Sequence, residues 1–178
     1  YIGTFFSKEW VQKNVLNFTD AEMNLRQAIN FKPNFVQAHN NLGLILKEVG
    51  KLSEAEASFR KAFSLDPQLT SARNNLGVTL KDLGKLQQAE ALFRELISIN
   101  SERPEFHNNL GLTLYDIGKF EDSEESYKKA IILNSSFASA YNNLGITLRK
   151  LRKTKEAEMN FRKAITLEPD FAGAHNNL

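Results

Sequence analysis

The sequence has no cysteine, few prolines and almost no excess of either charge. The absence of cysteine excludes disulfides, thiolate metal sites and cysteine nucleophiles. Lys and Arg number 23 against 21 for Asp and Glu, so the formal charge is only +2 and no basic face for nucleic acid is indicated. No apolar run approaches the roughly 20 residues that span a bilayer. These absences predict a protein that binds neither nucleic acid nor membrane.

No signal peptide is visible at the start of the chain, and its end interrupts a repeated motif. Residues 1–6 lack Met and lack a basic segment followed by a long apolar core, so no signal peptide is indicated. Leu178 falls inside a motif that continues in every earlier copy. We therefore expect both ends to be cuts in a longer protein. The compartment is unknown from the sequence, with the cytoplasm favoured.

What the sequence does contain is the tetrapeptide Asn-Asn-Leu-Gly at a fixed spacing. Its first Asn recurs at positions 40, 74, 108, 142 and 176, so every step is 34 residues without insertion or deletion. A fixed period of this length is typical of a stacked array in which each unit buries its apolar face against its neighbours.

The period divides the chain into units. We predict a degenerate capping repeat, four full repeats and the truncated start of another, at residues 1–35, 36–69, 70–103, 104–137, 138–171 and 172–178. Each full repeat should form two amphipathic helices, A and B. In the first full repeat we predict helix A from about Gln37 to Val49, a left-handed C-cap at Gly50, and helix B from about Ser53, its N-cap, to Leu65.

Three further features of the repeats carry structural expectations. Gly43 and Ala55 are small where helices A and B should cross, which permits close approach of the backbones. Arg152 stands where the other full repeats have glycine, so that turn must either hold arginine in the left-handed conformation or bend differently, and we predict a locally altered loop. Five Glu–Arg or Glu–Lys pairs at i,i+4 spacing on helix B predict a solvated outer face, and they begin at Glu22, Glu56, Glu90, Glu124 and Glu158.

The pattern of Leu-Gly, Gly, Ala, aromatic, Ala and Pro at fixed offsets resembles the tetratricopeptide repeat. The resemblance covers residues 36–171 fully and the flanks in part, with departures at Ser123, Leu96, Ser101 and Ser135. It implies an all-α fold, a right-handed α-solenoid of stacked helix-turn-helix repeats.

The asparagines predict a binding surface. At 100° per residue they lie away from the apolar face of helix A, on the side that faces the concave groove of such a solenoid. The predicted peptide-binding residues are two amide rows, an apolar row and a rim. The amides are Asn40, Asn41, Asn74, Asn75, Asn108, Asn109, Asn142 and Asn143; the apolar row is Leu44, Val78, Leu112 and Ile146; the rim is Lys47, Lys81, Tyr115 and Arg149.

The chemistry of the amide explains why these rows suit a peptide. An Asn side chain offers a donor and an acceptor, which match the alternating C=O and N–H groups of an extended main chain. Asn costs about 0.5 kcal/mol relative to Ala in a helix, so a ladder of them is not explained by helix stability. The alternative is that one row bonds to the neighbouring repeat and sets the superhelical pitch.

This asparagine-rich version, with Pro-Asp-Phe-Ala-Gly-Ala at residues 169–174, is similar to the superhelical arm of O-GlcNAc transferase. The resemblance implies that the second Asn of each motif holds the backbone of a substrate. Those positions are Asn41, Asn75, Asn109, Asn143 and Asn177. The sequence contains no part of a glycosyltransferase domain.

Candidate catalytic and metal-binding residues are lacking. The histidines share one slot of helix A but lie two repeats apart, too far to ligate one ion, so each ring is predicted to pack at a helix junction. They are His39, His107 and His175, and Arg73 and Tyr141 fill the slot elsewhere. No Ser-His-Asp arrangement, phosphate loop or HExxH motif occurs. We expect no catalytic residue, metal or cofactor in this chain.

The sequence therefore predicts a module that binds extended peptide or protein segments without covalent chemistry. One hypothesis makes it the substrate-docking arm of a larger enzyme of the O-GlcNAc transferase type. A second makes it a stand-alone scaffold or adaptor that assembles complexes. A third adds a homo-oligomer formed through the repeat ends.

Overall fold

The computed structural model describes the backbone of residues 8–178 and the side chains of residues 18–178. Over these residues the secondary structure consists of helices and turns. Residues 1–7, part of the predicted capping repeat, lie outside the described residues. The prediction of an all-α fold of stacked helix-turn-helix repeats is confirmed.

The chain divides into two compact units, one ending at Leu83 and one beginning at Gly84. Unit 1 contains α1 (Lys8–Phe31), α2 (Val36–Glu48), α3 (Leu52–Leu65) and α4 (Thr70–Asp82). Unit 2 contains α5 (Leu86–Ile99), α6 (Pro104–Ile117), α7 (Phe120–Leu133), α8 (Ala138–Lys150), α9 (Thr154–Leu167) and α10 (Ala172–Asn177).

Each unit has two layers of helices. We call α2, α4, α6, α8 and α10 the A helices, and α3, α5, α7 and α9 the B helices. In unit 1, α3 packs between α2 and α4, which also touch each other. In unit 2, α7 packs against α6 and α8 and α9 packs against α8 and α10, while α6 touches α8 and α8 touches α10. The A helices of each unit therefore form one continuous layer.

Helix α1 is a single helix of 24 residues. In a full repeat the turn between helices A and B would fall near position 16, which is 34 residues before Gly50, but α1 continues through that position. Leu16 stands there instead of the glycine that the turn requires. The degenerate unit thus lacks the two-helix form of the repeats that follow it.

Glycine on helix A makes room for an aromatic ring of helix B. A Cβ atom placed on Gly43 would lie 2.6 Å from a ring carbon of Phe59, and one on Gly111 would lie 2.8 Å from the Tyr127 ring. Both rings are buried, with 0% and 1% of their surfaces exposed. The predicted close crossing at Gly43 is confirmed, and the structure shows that the ring of the same repeat fills it.

The turn between helices A and B is made by a residue in the left-handed conformation. The φ angles are 78° at Gly50 and 93° at Gly118, and the backbone N–H of Lys51 reaches back to the carbonyl of Leu46. Arg152 adopts the same conformation with φ of 60°, so the prediction of an altered loop there is wrong. The backbone keeps its turn because the packing of both flanking helices is unchanged, and Arg152 bears the strain.

The N-cap of helix B lies two residues before the predicted one. Leu52 is the first residue of α3 and Lys51 its N-cap, without a hydrogen bond from a capping side chain. The prediction that Ser53 is the N-cap is therefore wrong. The tight turn at Gly50 leads directly into the next helix and leaves no extended residue for a side-chain cap.

Side chains of Asp and Asn close the turns between repeats. Asp66 accepts a hydrogen bond from the backbone N–H of Gln68 at 3.0 Å, and Asn134 accepts one from Ser136 at 3.0 Å. Such turns need no proline, because the side chain itself holds the bend. This explains why the repeat pattern tolerates Ser135 where another repeat has proline.

The glutamates of the B-helix pairs also join neighbouring repeats. Lys119 binds Glu90 at 3.0 Å and Lys153 binds Glu124 at 2.8 Å, besides the predicted i,i+4 pairs. Only 6% of Glu124 is exposed. The prediction of a merely solvated outer face is wrong for Glu124, because a lysine from the next repeat covers it.

These ion pairs predict a loss of stability in acid. Burial would raise the pKa of Glu124, but hydrogen bonds from Lys128 and Lys153 outweigh it and hold that pKa below its usual range. A pKa lowered by folding contributes stability above the unfolded value of about 4.3, and that stability is lost as pH falls through the folded pKa. We expect the free energy of unfolding to fall below about pH 4.5 and to fall less steeply in Glu124→Gln.

Urea denaturation across pH measures this effect. Glu158→Gln is the matched control, because Glu158 pairs with Arg162 within its own helix and is 53% exposed. We expect its curve to run parallel to that of the unchanged protein. A Glu124→Gln curve that also runs parallel would contradict the assignment.

Candidate functional site

The predicted binding residues all lie on A helices. We call the surface that they form the A-helix face, described separately for each unit. In unit 1 it consists of Asn40, Asn41, Leu44 and Lys47 on α2 and of Asn74, Asn75, Val78 and Lys81 on α4. In unit 2 it consists of Asn108, Asn109, Leu112 and Tyr115 on α6, of Asn142, Asn143, Ile146 and Arg149 on α8, and of Asn177 on α10.

Asparagines of neighbouring repeats bind each other on this face. In unit 1 the Nδ2 of Asn75 donates to the Oδ1 of Asn40 at 3.3 Å. In unit 2 the Nδ2 of Asn143 donates to the Oδ1 of Asn108 at 3.2 Å. The same bond joins Asn177 to Asn142 at 2.9 Å. In each pair the second Asn of one motif is the donor and the first Asn of the preceding motif is the acceptor.

In unit 2 the two amide rows differ in exposure. Asn108 and Asn142 are buried, with 8% and 7% of their surfaces exposed, whereas Asn143 is half-buried. In unit 1 Asn40 is half-buried and Asn41 is exposed. The Oδ1 of Asn143 accepts no hydrogen bond from any residue that the structure describes. An amide has two N–H donors and one oxygen acceptor, so Asn143 keeps one donor and its acceptor after bonding to Asn108.

The apolar row forms the floor between the amides. Leu44 is 40% exposed, and Val78 is half-buried. Leu112 and Ile146 are also half-buried and pack against the core cluster that contains Tyr127 and Phe161. These side chains therefore present apolar surface while the core holds them in place.

The predicted rim residues already have partners within each unit. Lys47 lies 3.7 Å from the carboxylate of Asp82, which Lys81 also binds at 3.0 Å. In unit 2 the guanidinium of Arg149 donates to the backbone carbonyl of Asn177 at 3.1 Å and to its Oδ1 at 3.4 Å. Thus the carboxylate of Asp82 neutralises part of the positive charge of the rim in unit 1, and Arg149 holds Asn177 in place in unit 2.

The shared histidine slot has a hydrogen-bonding role that the sequence did not reveal. The Nε2 of His107 lies 2.9 Å from the carbonyl oxygen of Ser101, and His39 makes the same contact with Pro33 at 2.8 Å. Because a carbonyl only accepts, the imidazole N–H donates. Arg73 fills the slot with a bond from Nη2 to the carbonyl of Pro67 at 3.2 Å. The predicted position at a helix junction is confirmed. What His and Arg share in this slot is an N–H group that donates to a backbone carbonyl.

Each unit also has a cleft between its helices that the sequence pattern did not predict. In unit 2 a cleft of about 780 Å³ lies among α5, α6 and α7, lined by Ile97, Leu110, Leu114 and Ile132 together with charged residues. In unit 1 a smaller cleft of about 390 Å³ lies among α1, α2 and α3 at the equivalent repeat positions. Ile132 could have indicated the cleft in unit 2, because it places an apolar side chain among the charged residues of helix B. It is 75% exposed.

None of the helices that the structure describes is long and apolar enough to cross a membrane.

Family comparisons match most of the repeat region. Residues 36–69 and 138–171 match the sequence model of the tetratricopeptide repeat, residues 69–102 match a second model of that repeat, and residues 111–151 match a TPR repeat model. No curated protein sequence matches the chain.

Solved structures share the fold. A crystal structure of MamA superimposes with a TM-score of 0.77 at 23% identity and covers 95% of this chain and 99% of its own. MamA 41-end from Desulfovibrio magneticus RS-1 gives 0.78 at 19% identity, covering 91% and 93%. YrrB, a TPR protein with an unusual peptide-binding site, gives 0.71 at 19% identity, covering 93% and 86%.

Proposed function

We propose that this chain, which is built from tetratricopeptide repeats, binds extended peptide segments of partner proteins on its A-helix face. The observation that carries the proposal is the unequal use of the two asparagine rows. Asn40, Asn108 and Asn142 of the first row use their acceptor oxygens in joining repeats, whereas Asn143 of the second row is half-buried and keeps an acceptor and a donor. This arrangement matches the main-chain groups of an extended peptide.

The mechanism is non-covalent and has three parts in each unit. The second-row amides, Asn75 in unit 1 and Asn143 in unit 2, exchange hydrogen bonds with the peptide main chain. The apolar row contacts the peptide side chains, since burial of apolar surface favours binding by about 25 cal/mol per Å². The first row, represented by Asn40 and Asn108, holds the second-row amides at fixed positions. Preorganised amides lose little conformational entropy on binding.

Two forms of this function remain to be distinguished. In one, the chain is the substrate-docking arm of a larger protein such as an O-GlcNAc-transferase-like enzyme. In the other, it is a stand-alone scaffold or adaptor without catalytic activity. The intact mass of the native protein, compared with the 20.2 kDa of this chain, separates them. A much larger mass supports the arm, and a similar mass supports the adaptor.

Self-association through the repeat ends would be a separate property. Light scattering over a range of concentrations measures it. A monomer at high concentration would contradict it.

Paired substitutions test the amide mechanism. We expect the double variant Asn75→Ala, Asn143→Ala to weaken capture of a library of random linear peptides by about tenfold, since a net hydrogen bond contributes about 0.5–1.5 kcal/mol. The matched control is Asn40→Ala, Asn108→Ala, which breaks the same inter-repeat bonds but leaves the second-row amides in place. Circular dichroism and thermal melting report on folding in both variants.

The first-row variant distinguishes peptide binding by the second-row amides from a purely structural role of the inter-repeat bonds. Weaker capture in the second-row variant at unchanged helicity, with a clearly smaller loss in the first-row variant, supports the proposal. Equal weakening in both variants would show that the bonds act only through the stacking of repeats. Unchanged capture in the second-row variant would overturn the mechanism.

A further inference from the structure

The turn between α8 and α9 differs in charge from the other three A-to-B turns. At three positions it carries Lys150, Arg152 and Lys155, where the others have an acid, a glycine and a residue without positive charge. The corresponding residues are Glu48, Gly50 and Ser53, then Asp82, Gly84 and Gln87, and then Asp116, Gly118 and Glu121. Each of these three differences adds positive charge at this turn, in a chain whose positive and negative charges are otherwise nearly equal.

These three cations have no ion-pair partner among the residues that the structure describes. Two other cations of the segment are engaged, since Arg149 binds Asn177 and Lys153 binds Glu124. Lys150, Arg152 and Lys155 are exposed. We call these three residues the basic turn. The ion pairs that join repeats therefore do not account for the charge of the basic turn.

The backbone of Arg152 adds a second, independent observation. Its φ of 60° lies in the left-handed region, which is unfavourable for a residue with a Cβ atom and open to glycine. Gly50, Gly84 and Gly118 occupy that conformation in the other turns without strain. Strained residues of this kind persist mainly at sites of ligand binding or switching. Folding alone would favour glycine at position 152.

We infer that the basic turn binds a run of acidic residues in the peptide that lies on the A-helix face of unit 2. The inference rests on the proposed function and specifies the chemistry of the partner. Lys150 is the last residue of α8 and follows Ile146 by four residues, so it lies on the face that bears Asn143 and Ile146, and Arg152 lies two residues beyond it. A peptide held by α8 reaches these cations directly at the end of the helix.

Charge and size favour an acidic peptide over other polyanions. The whole chain has a net charge of only +2, and its cations outside the turn are largely matched by acids. Binding to nucleic acid or to an anionic membrane draws on a broad basic surface with many phosphate contacts. Three unpaired cations at one turn match a short run of Asp or Glu.

Selection from a peptide library tests the inference. The basic-turn variant is Lys150→Gln, Arg152→Gly and Lys155→Gln, and the matched control is Lys61→Gln, Lys129→Gln and Lys163→Gln. The control removes the same charge from exposed positions of B helices. We expect the unchanged protein and the control to enrich peptides with an acidic run, and the basic-turn variant to lose that enrichment about tenfold. Glycine at position 152 also relieves strain, so the variant should remain folded.

A direct affinity measurement uses one selected acidic peptide and its counterpart with Gln for each acid. The acidic peptide should bind the basic-turn variant about tenfold more weakly at low salt, because three exposed ion pairs are lost and each contributes only about a few-fold to affinity. Added salt should remove most of the difference, and the Gln peptide should bind both proteins alike. Phosphatidylserine vesicles and duplex DNA serve as competing probes.

The outcomes separate this inference from the function on which it rests. Peptides enriched through Asn143 but without acidic residues would overturn the inference and leave the proposed function intact. Tighter binding of vesicles or DNA than of the acidic peptide, lost in the basic-turn variant, would also overturn it. If no peptide is enriched at all, both proposals fall.

Discussion

Replacing Tyr127 with alanine should lower the free energy of unfolding of unit 2 by about 3–5 kcal/mol, the usual cost of deleting a buried aromatic ring. Only 1% of Tyr127 is exposed, and its ring fills the space that Gly111 leaves on α6. It belongs to the core cluster with Leu144 and Phe161, so its loss opens a cavity between two repeats. Backbone on both sides holds that cavity open, because α6 and α8 pack against the same helix.

Tyr127→Phe is the matched control for this experiment. It keeps the ring and removes only the hydroxyl, and burial of that hydroxyl raises the pKa of Tyr127. We expect it to cost about 1 kcal/mol or less. Urea denaturation gives both values, with the m-value checked because repeat arrays can unfold in parts. A loss below about 1 kcal/mol for Tyr127→Ala would show that the cluster repacks without the ring.

Replacing Gly145 with valine should cost about 3 kcal/mol, at the upper end of the range for overpacking a core. A Cβ atom at this position would lie 2.5 Å from a ring carbon of Phe161, far closer than van der Waals contact allows. Only 2% of Phe161 is exposed, so its ring has no free space into which it can move. Helices α8 and α9 would have to separate, and the stacking of that repeat would weaken.

A double-mutant cycle isolates this contact. Phe161→Ala removes the ring and makes room for the valine, so the double variant should be less destabilised than the sum of the single variants by at least about 1 kcal/mol. Denaturation of all four proteins under identical conditions measures the coupling. Additive losses would mean that Gly145 is required for another reason than the approach of this ring.

Most of the fold was predictable from local pattern. The 34-residue period and the glycines at positions 50, 84 and 118 predict helix, turn and helix in each full repeat, and the described helices follow that order. These features can be predicted from the sequence because each depends on residues that are close along the chain. The sequence also contains the reason why helix α1 is continuous, since Leu16 stands at the position of the turn glycine.

The candidate site was predictable in position but not in detail. Helical periodicity placed the asparagines and the apolar row on the A helices, and the structure describes them there. Periodicity could not assign the donor and the acceptor between Asn143 and Asn108, because that bond depends on how one repeat is displaced along the next. The same displacement buries Asn108 and leaves Asn143 half-buried.

The sequence by itself therefore determined the repeat, its helices and the residue types of the A-helix face, because these follow from spacing along the chain. Only the tertiary structure decided which amides are used between repeats, that Lys153 covers Glu124, and that Arg152 keeps a left-handed turn. Each of these is a contact or a backbone constraint that arises when two helices pack. Such contacts depend on distances between residues far apart in sequence, which a pattern along the chain does not contain.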